Sequence, residues 1–135
     1  MRPVPPGTTG EFTLVVGHEH LASQFKDPLL PPVFATPMMV LMMENAALNA
    51  IRPYLEPGES AVGADVNIRH VAATPVGMRV RAVAEVVAVD GRKVAFKVSA
   101  HDQQELIGEG THERAVIDLA RFHARLQKKS AASGR

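Results

Sequence analysis

The chain has 135 residues, 15 basic against 14 acidic side chains, a net charge of +1 and no cysteine. A near-neutral balance with scattered Lys and Arg argues against a nucleic-acid surface, and the missing cysteines remove disulfides and thiolate metal sites. No apolar stretch reaches membrane-spanning length and the N-terminus lacks the run of a signal peptide, so one cytoplasmic domain is expected, small enough to benefit from a partner subunit.

Glu11 to Val16 alternates Phe12, Leu14 and Val16 against Thr13 and Val15, which predicts a first strand. His18 and His20 stand one residue apart without a third ligand in pattern, so they read as solvated surface rather than as a metal site. Leu21 to Ala35 carries Asp27-Pro28-Leu29-Leu30-Pro31-Pro32 and is expected to form no regular element, serving either as a proline-held pocket wall or as a plain connection.

Thr36 to Arg52 reads as a bounded helix: Thr36 is a capping residue type, Pro37 suits the first helical position, and Pro53 forbids continuation. The run Met38-Met39-Val40-Leu41-Met42-Met43 has no polar side, so this end is expected to be buried on most of its circumference. Glu44 breaks the run eight positions after Thr36, within roughly 80° of the Thr36 side of the helix. A carboxylate there must be hydrogen-bonded, protonated or facing a polar cleft, unless it joins Asn45 and Asn49 in an exposed stripe.

Beyond the turn at Glu56-Pro57-Gly58-Glu59, Val62, Ala64, Val66 and Ile68 share one face of a strand, and His70 continues that face toward the helix. Met78 to Val89 predicts a long strand, with Arg79 and Arg81 outward. Asp90-Gly91 signals a hairpin, and the return strand Arg92 to Ala100 puts Val94, Phe96 and Val98 on one side. Glu105 to Ile117 is the last strand, where Gly108 and Gly110 suggest a bulge or close backbone approach. Leu119, Phe122 and Leu126 mark a short amphipathic packing helix, after which residues 128–135 read as a flexible tail. The order predicts an α+β domain over residues 1–127, with five antiparallel strands wrapped round a central helix and an open edge that dimerisation would complete.

Val33-Phe34-Ala35-Thr36, Met43-Glu44, Pro53 to Glu59, His70 with Ala72-Ala73-Thr74-Pro75, Val98 to Asp102 and Gly110 to Ile117 resemble the fluoroacetyl-CoA thioesterase family of hot-dog proteins. The resemblance runs from about Val33 to Phe122. It implies a hot-dog fold, a homodimer with two active sites at the subunit interface and the question of tetramers left open, and hydrolysis of a short acyl-CoA. CoA enters as part of the substrate, with no cofactor and no metal.

Position by position, the resemblance implies catalytic roles for Thr36, Glu44 and His70, a substrate-carbonyl contact at Gly63 and an acyl-pocket role for Arg114. Leu30 stands where the family has a gating phenylalanine, and Leu30 and Phe34 are expected to contact substrate. A Leu30 gate with methionines behind it suits an apolar pocket of adaptable shape. A non-hydrolytic acyl-CoA binder and a hot-dog enoyl-CoA hydratase are the competing readings on the same framework.

Overall fold

Residues 1–133 are described by a computed structural model. Five antiparallel strands form one sheet in the order β1-β3-β4-β5-β2, with β1 at Thr9–Val15, β2 at Glu59–His70, β3 at Arg79–Asp90, β4 at Lys93–His101 and β5 at Leu106–Asp118. Among the described residues three α-helices accompany it: a single turn α1 at Ala22–Phe25, the long α2 at Thr36–Ile51 and the C-terminal α3 at Leu119–Ala132.

The sheet wraps α2 because both surfaces carry the apolar residues for it. Val80, Ala82, Ala84 and Val86 of β3 and Val94, Phe96, Val98 and Ala100 of β4 alternate inward and are almost fully buried, as period-two patterning requires. Met39, Met42 and Met43 fill the space between α2 and the sheet, and Ala46, Ala47 and Ala50 let the helix come close farther along. Gly10 marks that approach on β1, since a Cβ there would run into the Ala46 carbonyl and the backbone of Ala50. The helix is not buried on most of its circumference, however: Leu41 is 41% exposed.

Thr36 does not cap α2, as its sequence position suggested. Ala35 takes the cap position without a side-chain hydrogen bond, Thr36 is the first helical residue, and its hydroxyl is engaged elsewhere. Pro53 ends the α-helix one residue earlier than expected, at Ile51, and the chain tightens into a 3-10 turn over Arg52–Tyr54. The hairpin turn between β3 and β4 centres on Gly91 and Arg92, with Gly91 in the left-handed region at φ 61°.

The even face of β2 departs further from the pattern. The register against β5 shifts between Gly63 and Asp65, which leaves Ala64 as the extra residue of a bulge, and Gly63 to Asn67 is exposed along the sheet edge. Periodicity failed here because a bulge resets which side each later residue faces. His70 lies beyond it and does reach the helix. Gly108 and Gly110 prove to be positions of close approach: a side chain at Gly108 would strike Met39, and one at Gly110 the backbone of β2.

Capped by the Asp118 carboxylate, which accepts from the Arg121 N–H at 3.0 Å, α3 continues through Ala132 and so covers most of the stretch read as a tail; Gly134 and Arg135 lie outside the described residues. It is not a packing element within one protomer, because none of its residues is buried and Leu119 and Leu126 are 38% and 48% exposed.

Candidate active site

The loop between β1 and α2 forms a pocket wall. Leu21 bridges to Phe34, the Ala35 N–H donates to the His20 carbonyl, and the Phe34 N–H donates to the Thr74 carbonyl, so the proline-rich segment is tied at both ends although α1 interrupts its irregular run. Phe34 is buried and Leu30 half-buried. Together with Lys26, Thr36, His70 and Ala72 they line a cavity of about 390 Å3.

At its floor, Thr36 Oγ1 and His70 Nδ1 are 2.8 Å apart. The contact explains why the hydroxyl is absent from the helix cap: the first residue of α2 and the last of β2 meet, and the imidazole takes the hydroxyl. The other ring nitrogen, His70 Nε2, is buried and has no hydrogen-bond partner among the described residues. Burial pushes His70 below its ordinary value, with the Ala72 backbone opposing, so the ring is neutral near pH 7. A neutral imidazole with one free nitrogen can donate or accept a proton, according to its tautomer.

Glu44 lies two turns further along α2, at the other end of β2. Its carboxylate sits against Gly63 so closely that a Cβ at that position would be 2.6 Å from Oε2. It is half-buried, and among the described residues no hydrogen bond or ion pair engages it. Arg114, 8% exposed, faces the same place: Nη2 donates to the Ala61 carbonyl at 2.8 Å, and Nη1 reaches the Glu44 carbonyl at 3.5 Å. Half-buried Glu44 thus has Gly63 and Arg114 as neighbours.

Residues 16–120 match the fluoroacetyl-CoA-specific thioesterase family. The chain belongs to this family. A fluoroacetyl-CoA thioesterase of Streptantibioticus cattleyicolor is 50% identical over 102 residues, 76% of this chain and 73% of that protein. The solved structure of the fluoroacetyl-CoA thioesterase FlK superposes with a TM-score of 0.88 at 40% identity, over 94% of this chain and 98% of its own. A Thermus thermophilus protein described as a thioesterase superfamily member gives a TM-score of 0.89 at 37% identity, over 98% and 99% of the two chains. The curled sheet and its central helix are accordingly the hot-dog fold of this family.

The residues expected from the resemblance thus fall into two groups. Thr36, His70, Leu30 and Phe34 gather at the pocket, and Glu44, Gly63 and Arg114 gather at the bulge. Eight residues of helix, about 12 Å of rise, separate Thr36 from Glu44. Sequence reasoning missed His112, which is 2% exposed and sits between Arg114 and the bulge; only its placement two residues from Arg114 on an inward-facing strand pointed to it. Among the described residues no three acidic or histidine side chains are grouped to hold an ion, and His20 Nδ1 accepts from the Gly17 N–H at 2.9 Å. Arg81 and Arg69 are engaged across strands by Glu11 at 2.8 Å and Glu109 at 3.2 Å. No described helix is long and apolar enough to cross a membrane.

Proposed function

We propose that this chain is a cytoplasmic acyl-CoA thioesterase whose active site is completed by a second copy. The observation that carries the reading is a pair of half-sites along β2: a Thr36–His70 hydrogen bond at its last residue, and against Gly63 a carboxylate with no hydrogen bond or ion pair among the described residues. Thioester hydrolysis needs a group to attack the carbonyl or activate water, a group to manage the proton of the departing thiolate, and donors for the developing oxyanion. Glu44 supplies the first, as nucleophile or as general base, and His70 with Thr36 supplies the second. The Gly63 backbone N–H is a fitting oxyanion donor, because no side chain shields it.

The exposed edge of β2 explains how the half-sites meet. Strand edges are templates for pairing, and identical edges pair about a two-fold axis. Antiparallel pairing of β2 with its own copy, centred on Asn67 at the end of the exposed stretch and with Ala64 as the extra residue, would set Gly63 of one protomer opposite His70 of the partner subunit. Glu44 of one copy then works with Thr36 and His70 of the other, and each dimer holds two sites. The pocket beside them, walled by Leu30, Val33, Val71 and Ala72, suits a short or branched acyl group.

Release of free CoA thiol from a panel of short acyl-CoAs, with fluoroacetyl-CoA and acetyl-CoA among them, tests the activity. Equimolar thiol and free acid are expected. Binding without thiol release would point to an acyl-CoA binder, and consumption of an enoyl-CoA without thiol release to a hydratase; either result overturns the proposal.

A further inference from the structure

His112 takes no part in the chemistry above, yet it is buried near Glu44 with both ring nitrogens in contact. Its two ring nitrogens have partners of fixed type. The Asp65 carbonyl, 2.8 Å from Nδ1, can only accept; the Arg114 guanidinium, with Nη1 3.2 Å from Nε2, can only donate. Both contacts are satisfied by one state, the neutral ring with its proton on Nδ1. The ring also stacks on Phe96, with centroids 5.8 Å apart and planes 24° from parallel, so it cannot rotate freely.

These partners matter because of where they lie. Asp65 is the residue at which the β2 register resumes after the bulge, and Gly63 is the last residue before it. A bulge locally disrupts the ladder, and the His112 ring bonds the carbonyl of the first residue to pair after it. Through Nε2 the same ring orients Arg114, whose other contacts are the carbonyls of Ala61 and Glu44 and whose buried Nε has no partner.

We propose that neutral His112 is a positioning residue for the thioesterase site: it pins the Gly63–Asp65 bulge and the Arg114 guanidinium around the Glu44 carboxylate. For its kinetic consequences the inference rests on the thioesterase reading; its structural content does not. The charged groups facing the ring are Arg114 on β5, Glu44 on α2 and Asp65 on β2. Burial is the largest influence on His112 and pushes it below the ordinary value of 6.5; Arg114 acts in the same direction, and the Asp65 backbone and the Glu44 and Asp65 charges oppose. A histidine lowered in the folded state stabilises the fold fully above pH 6.5 and loses that contribution as pH falls through the folded value, because the unfolded chain binds the proton first.

Two measurements on the full-length protein test this. Nitrogen-15 NMR of the wild type is expected to show His112 with a protonated Nδ1 and an unprotonated Nε2 from pH 8 down to about 6.5, whether or not the chain releases thiol; an imidazolium or the opposite tautomer in that range would overturn the proposal. In thiol-release kinetics, His112→Phe keeps the stack on Phe96 and removes both hydrogen bonds. A fall in kcat of about 10- to 100-fold with KM little changed is expected, and His112→Asn, which keeps a donor at the Nδ1 position, recovers part of it. Wild-type kcat in a folded Phe variant, or a loss confined to KM, would contradict the assignment. If the Phe variant does not fold, the tautomer measured in the wild type decides alone. Absence of thiol release from wild type itself would count against the thioesterase reading and leave the NMR result standing.

Discussion

Glu44→Gln is expected to lower thiol release by about 10²- to 10⁴-fold, the range of a lost proton-transfer or nucleophilic group, while the chain remains folded. The substitution changes charge and nucleophilicity at nearly constant shape. The carboxylate is half-buried and carries no hydrogen bond or ion pair among the described residues, although the buried Arg114 guanidinium feels its charge. Glutamine still fills the space beside Gly63 but can neither attack a thioester nor take a proton from water. Thiol release and a thermal melt run on the same preparation check this. Unchanged turnover would remove Glu44 from the chemistry, and loss of folding would give it a structural role that the geometry does not show.

Gly63→Ala is expected to cost about 10²-fold in kcat by displacement rather than by deletion. The new Cβ would stand 2.6 Å from Glu44 Oε2, closer than such atoms approach, and the end of a flexible side chain is what yields. The other neighbours, His112 Cε1 at 3.6 Å and Arg114 Nη1 at 3.8 Å, accept a methyl group at ordinary contact distance. The fold should therefore tolerate the change while the carboxylate moves off its position. Steady-state kinetics with a melting curve make the comparison, and a Gly63→Ala variant with full kcat would mean that the carboxylate need not lie against this glycine.

Much of this architecture was legible in the residues, for identifiable reasons. Val94, Phe96 and Val98 alternate without interruption, and β4 follows the pattern. The prolines at 37 and 53 bracket α2 to within a residue. Glu44 drew notice because a carboxylate among methionines has no packing reason to be there. What escaped the sequence were effects of tertiary placement. Thr36 looked like a cap, because local chemistry favours that role, and only the arrival of His70 from 34 residues away redirected its hydroxyl. The bulge at Ala64 has no glycine or proline of its own to announce it, since Gly63 precedes it, and so the exposed face of β2 was misread as buried. Leu119 and Leu126 have helical spacing yet stay 38% and 48% exposed within one protomer, because amphipathic spacing reports a face without naming its partner. His112 stayed unread because a histidine on an inward strand face signals neither its tautomer nor its partners.

The central claim is that Glu44 of one copy serves the Thr36–His70 pair of the other, and co-expression of Glu44→Gln with His70→Ala tests it most directly. Each variant alone forms dimers in which both sites lack a group. In a mixed dimer, one site combines both defects and the other draws an intact Glu44 and an intact His70 from different protomers. Random assortment is then expected to restore about a quarter of wild-type thiol release. A mixture as inactive as either variant alone would contradict the account and place all the catalytic groups of each site within a single chain.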